Sequence, residues 1–380
     1  MTTMKCIRRA SGALLGSVLV VVGCGEQSAV NPRGPAFAVS GAAACPIAPS
    51  VVVTNEPGLV TALAAATPGQ VIGVSGTIFV HSDLFITASN VTLTCASPGA
   101  GLVADTFPPI TFLLNARGNG VTVAYLTLDA HSLAEGPYDG GDASGLVFSN
   151  NRVTCGAGEC VFFDENTPNA VVADNYFVGQ GTCTGVQMQV GIDGSRIERN
   201  TIVATTPSTC PNLGGIRARD GSGVTITHNI VLGPWINSLA LVDLTNSRVE
   251  QNRSQGALNY GIRAGSRGSF LPISMTGDLF TGNLVTGAGA AGMFFHSACR
   301  NTFLGNALQG NAGDVGAIFD VMTGANVFDG NQTVVIDNGS FDCDGDGQPD
   351  RNVISGPGRV LHVPQGPPSG DTTAVIRQLR

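Results

Sequence analysis

Short apolar runs that alternate or stay β-branched recur along the chain, as in Val91-Thr-Leu-Thr, Gly120-Val-Thr-Val, Val224-Thr-Ile-Thr and Val249-Glu-Gln. Runs of this length and composition read as strands. A helical period is nearly absent, so the chain is expected to be almost all β. One segment differs: in Asn55-Glu-Pro-Gly-Leu-Val-Thr-Ala-Leu-Ala-Ala-Ala, Asn55 can cap a helix, Pro57 fits its first turn, and Leu59, Leu63 and Ala66 fall on one face. Between the strands an asparagine followed by an apolar stretch returns at Asn175, Asn200, Asn229, Asn252, Asn283, Asn306 and Asn331, in steps of 23 to 31 residues. Self-similarity at that period indicates a solenoid.

Aligning the asparagines also aligns Gly185-Val-Gln-Met, Gly215-Ile-Arg-Ala, Gly261-Ile-Arg-Ala, Gly292-Met-Phe-Phe and Gly316-Ala-Ile-Phe. A repeat of about 25 residues holds three short strands and three bends, and stacking puts like residues about 4.8 Å apart in parallel register. Asparagine suits a bend on two counts. It tolerates the left-handed conformation, and its amide can donate to and accept from the amides above and below. These asparagines are therefore assigned a structural role.

With these strands and bends, residues 50–363 resemble the right-handed parallel β-helix proteins of the pectate-lyase-like superfamily. The resemblance implies an all-β, single-stranded right-handed parallel β-helix of about ten coils. The helix after Asn55 would cover the open first coil, whose bare edge would otherwise invite aggregation.

Lys5, Arg8 and Arg9 precede an apolar stretch from Ala13 to Val22 that is closed by Gly23 and Cys24. This is the layout of an export signal, too short for a comfortable membrane span. Its end, Val21-Val22-Gly23-Cys24, resembles a bacterial lipoprotein signal. That resemblance implies removal of residues 1–23, a lipid on Cys24, and a place at the outer membrane or cell surface; cleavage without lipidation would leave a secreted or periplasmic protein. Residues 24–49 read as a tether and 364–380 as a C-terminal tail.

Glycine is abundant (52) and charged residues are few (12%), which suits many buried strands joined by tight turns in one elongated, monomeric domain. Loss of the three signal cations takes the formal charge from -8 to -11, so nucleic acid is not an expected partner. The mature chain keeps no lysine. Eight cysteines remain beyond Cys6 and Cys24, and an even number in an exported chain points to disulfides. Spacing alone leaves roughly a hundred pairings open. The sequence-local one is favoured: Cys45 with Cys95, Cys155 with Cys160, Cys183 with Cys210, and Cys299 with Cys343.

The superfamily includes lyases, hydrolases, epimerases, esterases, tailspikes and adhesins, so activity must be read from a site. Outward positions of the Gly-x-x-x strand would carry Gln187, Gln189, Arg217, Arg219, Arg263, His296 and Asp320, with Asp220 and Asp243 at the strand ends. Arg217, Arg219 and Arg263 could grip a uronate carboxylate, and the resemblance implies an arginine in the proton-abstracting role. Arginine deprotonates so reluctantly that His296 is the easier base. Asp220 and Asp243 each lie nine residues before a ladder asparagine, which would stack them about 5 Å apart, the spacing of a retaining glycosidase pair. The plainer reading is a polar coat on an exposed sheet. Asp129, His131, Glu135, Tyr138, Asp139 and Asp142 read as a protruding polar loop that could rim a cleft.

In Asp342-Cys-Asp-Gly-Asp-Gly-Gln-Pro-Asp350 the carboxylates of Asp342, Asp344, Asp346 and Asp350 take the first, third, fifth and ninth places of a calcium loop, with Gly347 sixth and Val353 where an EF-hand has glutamate. The run is similar to the loops of thrombospondin type 3 and dockerin modules. Calcium in a structural role is the expectation, and zinc is not, because no two cysteines have two-residue spacing. Two functions stay open. One is an exported protein that binds extracellular polysaccharide, as a uronate lyase or a glycoside hydrolase. The other is a non-catalytic surface scaffold or adhesin.

Overall fold

Each turn of the chain lays down one strand in each of three sheets, as with Val147–Ser149, Arg152–Thr154 and Glu159–Phe163, before the next turn pairs on top of it. The computed structural model describes residues 45–104, 111–130, 135–208, 210, 213–266, 275–329, 333–356 and 358–362. Residues 1–44, with the signal and Cys24, lie outside the described residues, as do His131, Asn331 and the tail. Among the described residues the three sheets hold 13, 10 and 14 strands, and the longest unbroken path of the third has 12, so the solenoid has about twelve turns instead of ten.

The core is a set of vertical ladders. In the first sheet Phe148, Val172, Ile197, Ile226 and Val249 stack in register, each fully buried, and Phe280, Phe303 and Phe328 continue the row. Burying each such side chain is worth about 1.5–3 kcal/mol. The helix Glu56–Ala64 forms as read: the Asn55 side chain accepts from the Gly58 N–H at 2.9 Å, and Leu59 and Leu63 are buried, with Ala66 packed against the same core. All four expected disulfides are present.

The asparagines form one continuous hydrogen-bonded ladder from Asn151 to Asn306. Asn229 shows the unit. Its Oδ1 accepts from the Asn200 N–H and Nδ2 (3.0 Å each), and its own Nδ2 donates to Ile197 O (2.8 Å) and to Asn252 Oδ1 (3.0 Å). One expectation needs correction. The left-handed residue is the one before each ladder asparagine (Asn150, Asp174, Arg199, His228, Gln251, Gly282, Gly305), so the asparagine acts through its side chain and not through backbone tolerance.

A second ladder, not expected from the sequence, runs along the bend between the third and first sheets: Ser247, Asp278, Asn301, Asn326 and Asn352 bond in the same fashion. Its trace is Asp278-Leu-Phe-Thr, Asn301-Thr-Phe-Leu, Asn326-Val-Phe-Asp and Asn352-Val-Ile-Ser. The polar loop expected around Tyr138 is also a correction: Gly136–Gly140 is a buried strand of the third sheet, with Tyr138 in the core and Asp139 on the outer face beside Arg117. Its Gly-Pro-Tyr-Asp-Gly composition reads as a turn, yet pairing on both sides imposes a strand.

Candidate functional site

Arg217 sits on the outer face of the strand Gly214–Ser222, and register pairs it with Ala240, which pairs in turn with Arg263. The two arginines are thus two strand spacings apart, roughly 10 Å, with only a methyl group between them. That small residue opens a cleft of about 280 Å³, lined by both arginines, Val242, Gly265, Ser266 and His296. Gly265 is required at the floor, because a Cβ there would lie 2.0 Å from His296 O. Beyond the cleft Tyr260 and Phe294 stack at 4.9 Å, and Phe294 follows Arg263 in the same column.

His296 Nδ1 is hydrogen-bonded to Asp320 Oδ2 on the neighbouring turn. Asp320 is itself held, its Oδ1 accepting from the Met322 N–H at 3.0 Å and its carbonyl from Thr323 Oγ1 at 2.7 Å. A fixed carboxylate on Nδ1 selects the tautomer with its hydrogen there and leaves Nε2 as the basic nitrogen of the ring. Arg217 Nη1 donates to Gln187 Oε1 at 3.3 Å.

Of the six residues singled out for catalysis, the cleft unites Arg217, Arg263 and His296 and does not include the other three. Arg219 turns to Asp220, Nε to Oδ2 at 3.3 Å. Pairing of Arg219 with Val242 and of Gly221 with Leu244 sets Asp220 beside Asp243, as the spacing implied. Both have left-handed backbones (φ 57° and 52°) at a corner of the coil, a conformation asparagine and aspartate adopt more readily than other side chains. This gives the pair a structural reason to be aspartates.

In the acidic loop, single carboxylate oxygens of Asp342, Asp344 and Asp350 lie within 4.8 Å of one another; Asp346 is not in that group. Asp342 accepts from the Gly345 and Gly347 N–H groups (2.7 and 2.8 Å), the latter being the main cause that holds its carboxyl below the usual range. Hard oxygen donors so gathered fit a calcium ion. The loop is anchored by Cys343, bonded to Cys299, and by the Asp350 N–H donating to Phe341 O at 3.0 Å.

No protein-family profile and no curated protein sequence matches the chain. Solved structures do. An alginate lyase from Paenibacillus sp. is similar at 12% identity and TM-score 0.49, over 72% of this chain and 99% of that one. The catalytic unit of a GH87 alpha-1,3-glucanase from Streptomyces thermodiastaticus is similar at 15% identity and TM-score 0.49, over 84% and 70%. The pectate lyase Pel9A is similar at 11% identity and TM-score 0.40, over 70% and 79%.

Ala240, Gly265 and Ser266 complete the cleft and were not singled out in the sequence. They bear no charge, and their part is to leave space, which only the register of the strands reveals.

Proposed function

We propose that the protein binds an acidic polysaccharide at the Arg217–Arg263–His296 cleft and cleaves it by β-elimination. The observation that carries this is the meeting, on one rigid face, of two arginines and a histidine held by a carboxylate. An arginine clamps a uronate carboxylate bidentately and, by neutralising it, acidifies the C5–H bond. His296 takes that proton at Nε2, the C–H electron pair becomes the C4=C5 double bond, and the C4–O glycosidic bond breaks. The departing oxygen takes a proton from water. Asp320 positions the imidazole through its hydrogen bond to Nδ1.

The four disulfides support an exported location, and with the cysteine after the apolar leader they support a lipid anchor at Cys24 and a place on the cell surface. Calcium at Asp342, Asp344 and Asp350 would brace the last turns, to which Cys343 ties the turn that carries His296. Incubation with a panel of uronate polymers, read by ultraviolet absorbance of the unsaturated product, tests the reaction. Arg217→Ala with Arg263→Ala is expected to abolish that product. Tight binding without product across the panel would favour the non-catalytic scaffold.

A further inference from the structure

Three turns before Arg217, the same outward column of the third sheet holds Asp139, and one turn earlier it holds Asn115. These residues are 5% and 4% exposed, and Asp139 Oδ1 and Asn115 Nδ2 have no hydrogen-bond partner among the described residues. Buried polar atoms are nearly always paired. Here an unpaired acceptor and an unpaired donor sit on side chains opposite one another on adjacent strands. The other oxygen of Asp139 is held by Arg117, which lies across Gly141, where a Cβ would come within 2.9 Å of its Nη1. Glu159 is half-buried on the turn after Asp139, three residues before Phe162, the residue paired with Asp139; burial, reinforced by the charges of Glu135 and Asp139 and opposed by that of Arg217, pushes its carboxyl up to about 7. The group is joined to the cleft. Glu159 pairs in register with Thr184, whose Oγ1 donates to Gln187 Oε1 at 3.4 Å, the atom that also accepts from Arg217.

The geometry points to a second glycan subsite at Asn115, Asp139 and Glu159, one that takes an uncharged, hydroxyl-bearing sugar of the same chain whose uronate occupies the arginine cleft. This rests on the acidic-polysaccharide reading above. A sugar hydroxyl both donates and accepts, so a single hydroxyl answers both orphaned atoms. A carboxylate in its place would meet Asp139, Glu135 and Glu159, while Arg117 is already engaged. The substrate is therefore a mixed polymer, with neutral sugars and uronates separated by the three turns between Asp139 and Arg217, roughly 14 Å.

Isothermal titration of the full chain with size-matched oligosaccharides tests this, using a homouronate, an alternating uronate–neutral hexose and a neutral hexose chain. The alternating chain is expected to bind at least about tenfold tighter than the homouronate at alkaline pH. Asn115→Ala should erase that preference and leave homouronate affinity within about twofold, since the lost contact is made only to the neutral sugar. In the wild type, homouronate affinity should fall as pH rises through about 7, and Glu159→Gln should flatten the fall. Circular dichroism and melting curves confirm that the variants are folded. Homouronate binding equal to or tighter than that of the alternating chain overturns the subsite alone, as does a preference that survives both substitutions. Neutral-chain binding that Asn115→Ala abolishes, with no uronate bound, upholds the subsite and overturns the acidic-polysaccharide reading. No binding by any chain overturns both.

Discussion

The asparagine ladder and the outward column of the third sheet are wound on the same pitch, one residue per turn, yet they behave in opposite ways. From Asn151 to Asn306 the ladder repeats a single residue, because each amide is completed by an identical amide above and below it. The outward column changes at every step, from Asp139 through Phe162, Gln187, Arg217 and Ala240 to Arg263. Nothing in the coil requires those identities. Where neighbours must match, the residue serves the fold; where they differ at no cost to packing, they are available to a ligand.

That contrast predicts a clean division between variants that lose activity and variants that lose stability. The largest effect should come from the outer face: His296→Gln or Asp320→Asn should lower turnover on a uronate substrate by about a hundredfold or more, with unfolding free energy changed by less than about 0.5 kcal/mol. Steady-state kinetics and denaturant unfolding of the same samples check both halves. Next, Asn229→Ala should cost about 2–4 kcal/mol, because it strips the Asn200 N–H and Ile197 O of partners inside the wall. Turnover per folded molecule should be unchanged.

A sharper test lies at the one acid in the second ladder. Asp278 accepts from the Ser247 N–H at 2.7 Å, its other oxygen has no partner among the described residues, and burial pushes its carboxyl up to about 8. The folded state therefore binds a proton that the unfolded chain releases above its ordinary carboxylate pKa. The contribution is full at acid pH and is lost as pH rises toward about 8. Asp278→Asn should remove that slope and stabilise the protein at pH 8 by on the order of 1–3 kcal/mol, measured by denaturant unfolding across pH. The smallest effect belongs to the acidic loop. Millimolar calcium should raise the melting free energy by about 1–2 kcal/mol, and Asp342→Asn should abolish the gain; calorimetric titration without heat of binding would remove calcium from this loop.

The fold could be read from the chain because its main determinants are periodic: asparagine spacing and β-branched runs each report a local rule repeated many times, and the helix capped by Asn55 carries its own local signal. The second ladder is harder to read because serine and aspartate open it and asparagine recurs only at Asn301, Asn326 and Asn352, so residue identity changes along it although the hydrogen bond does not. At the site, Arg217, Arg263 and His296 could be picked out by strand alternation. Arg219 could not be told from them, since its pairing with the adjacent Asp220 depends on the left-handed backbone at Asp220, inside the strand Gly214–Ser222. Asp139 was misplaced for a related reason. Its neighbours are turn formers, and only the strands on either side make it part of a wall.

The placing of two of the disulfides bears on how the array comes apart. In a stack where each turn touches only its neighbours, the outermost turns have one neighbour in place of two and are the natural points of fraying. Cys45–Cys95 closes the first turns and Cys299–Cys343 the last described ones, so the covalent staples sit where a zipper would begin to open. Reduction would turn a closed-ended array into one that unravels inward from both tips, and the cleft would lose its shape from the His296 side first, because the strand Ala291–His296 lies three turns before the last described one and Cys299 follows His296 by three residues.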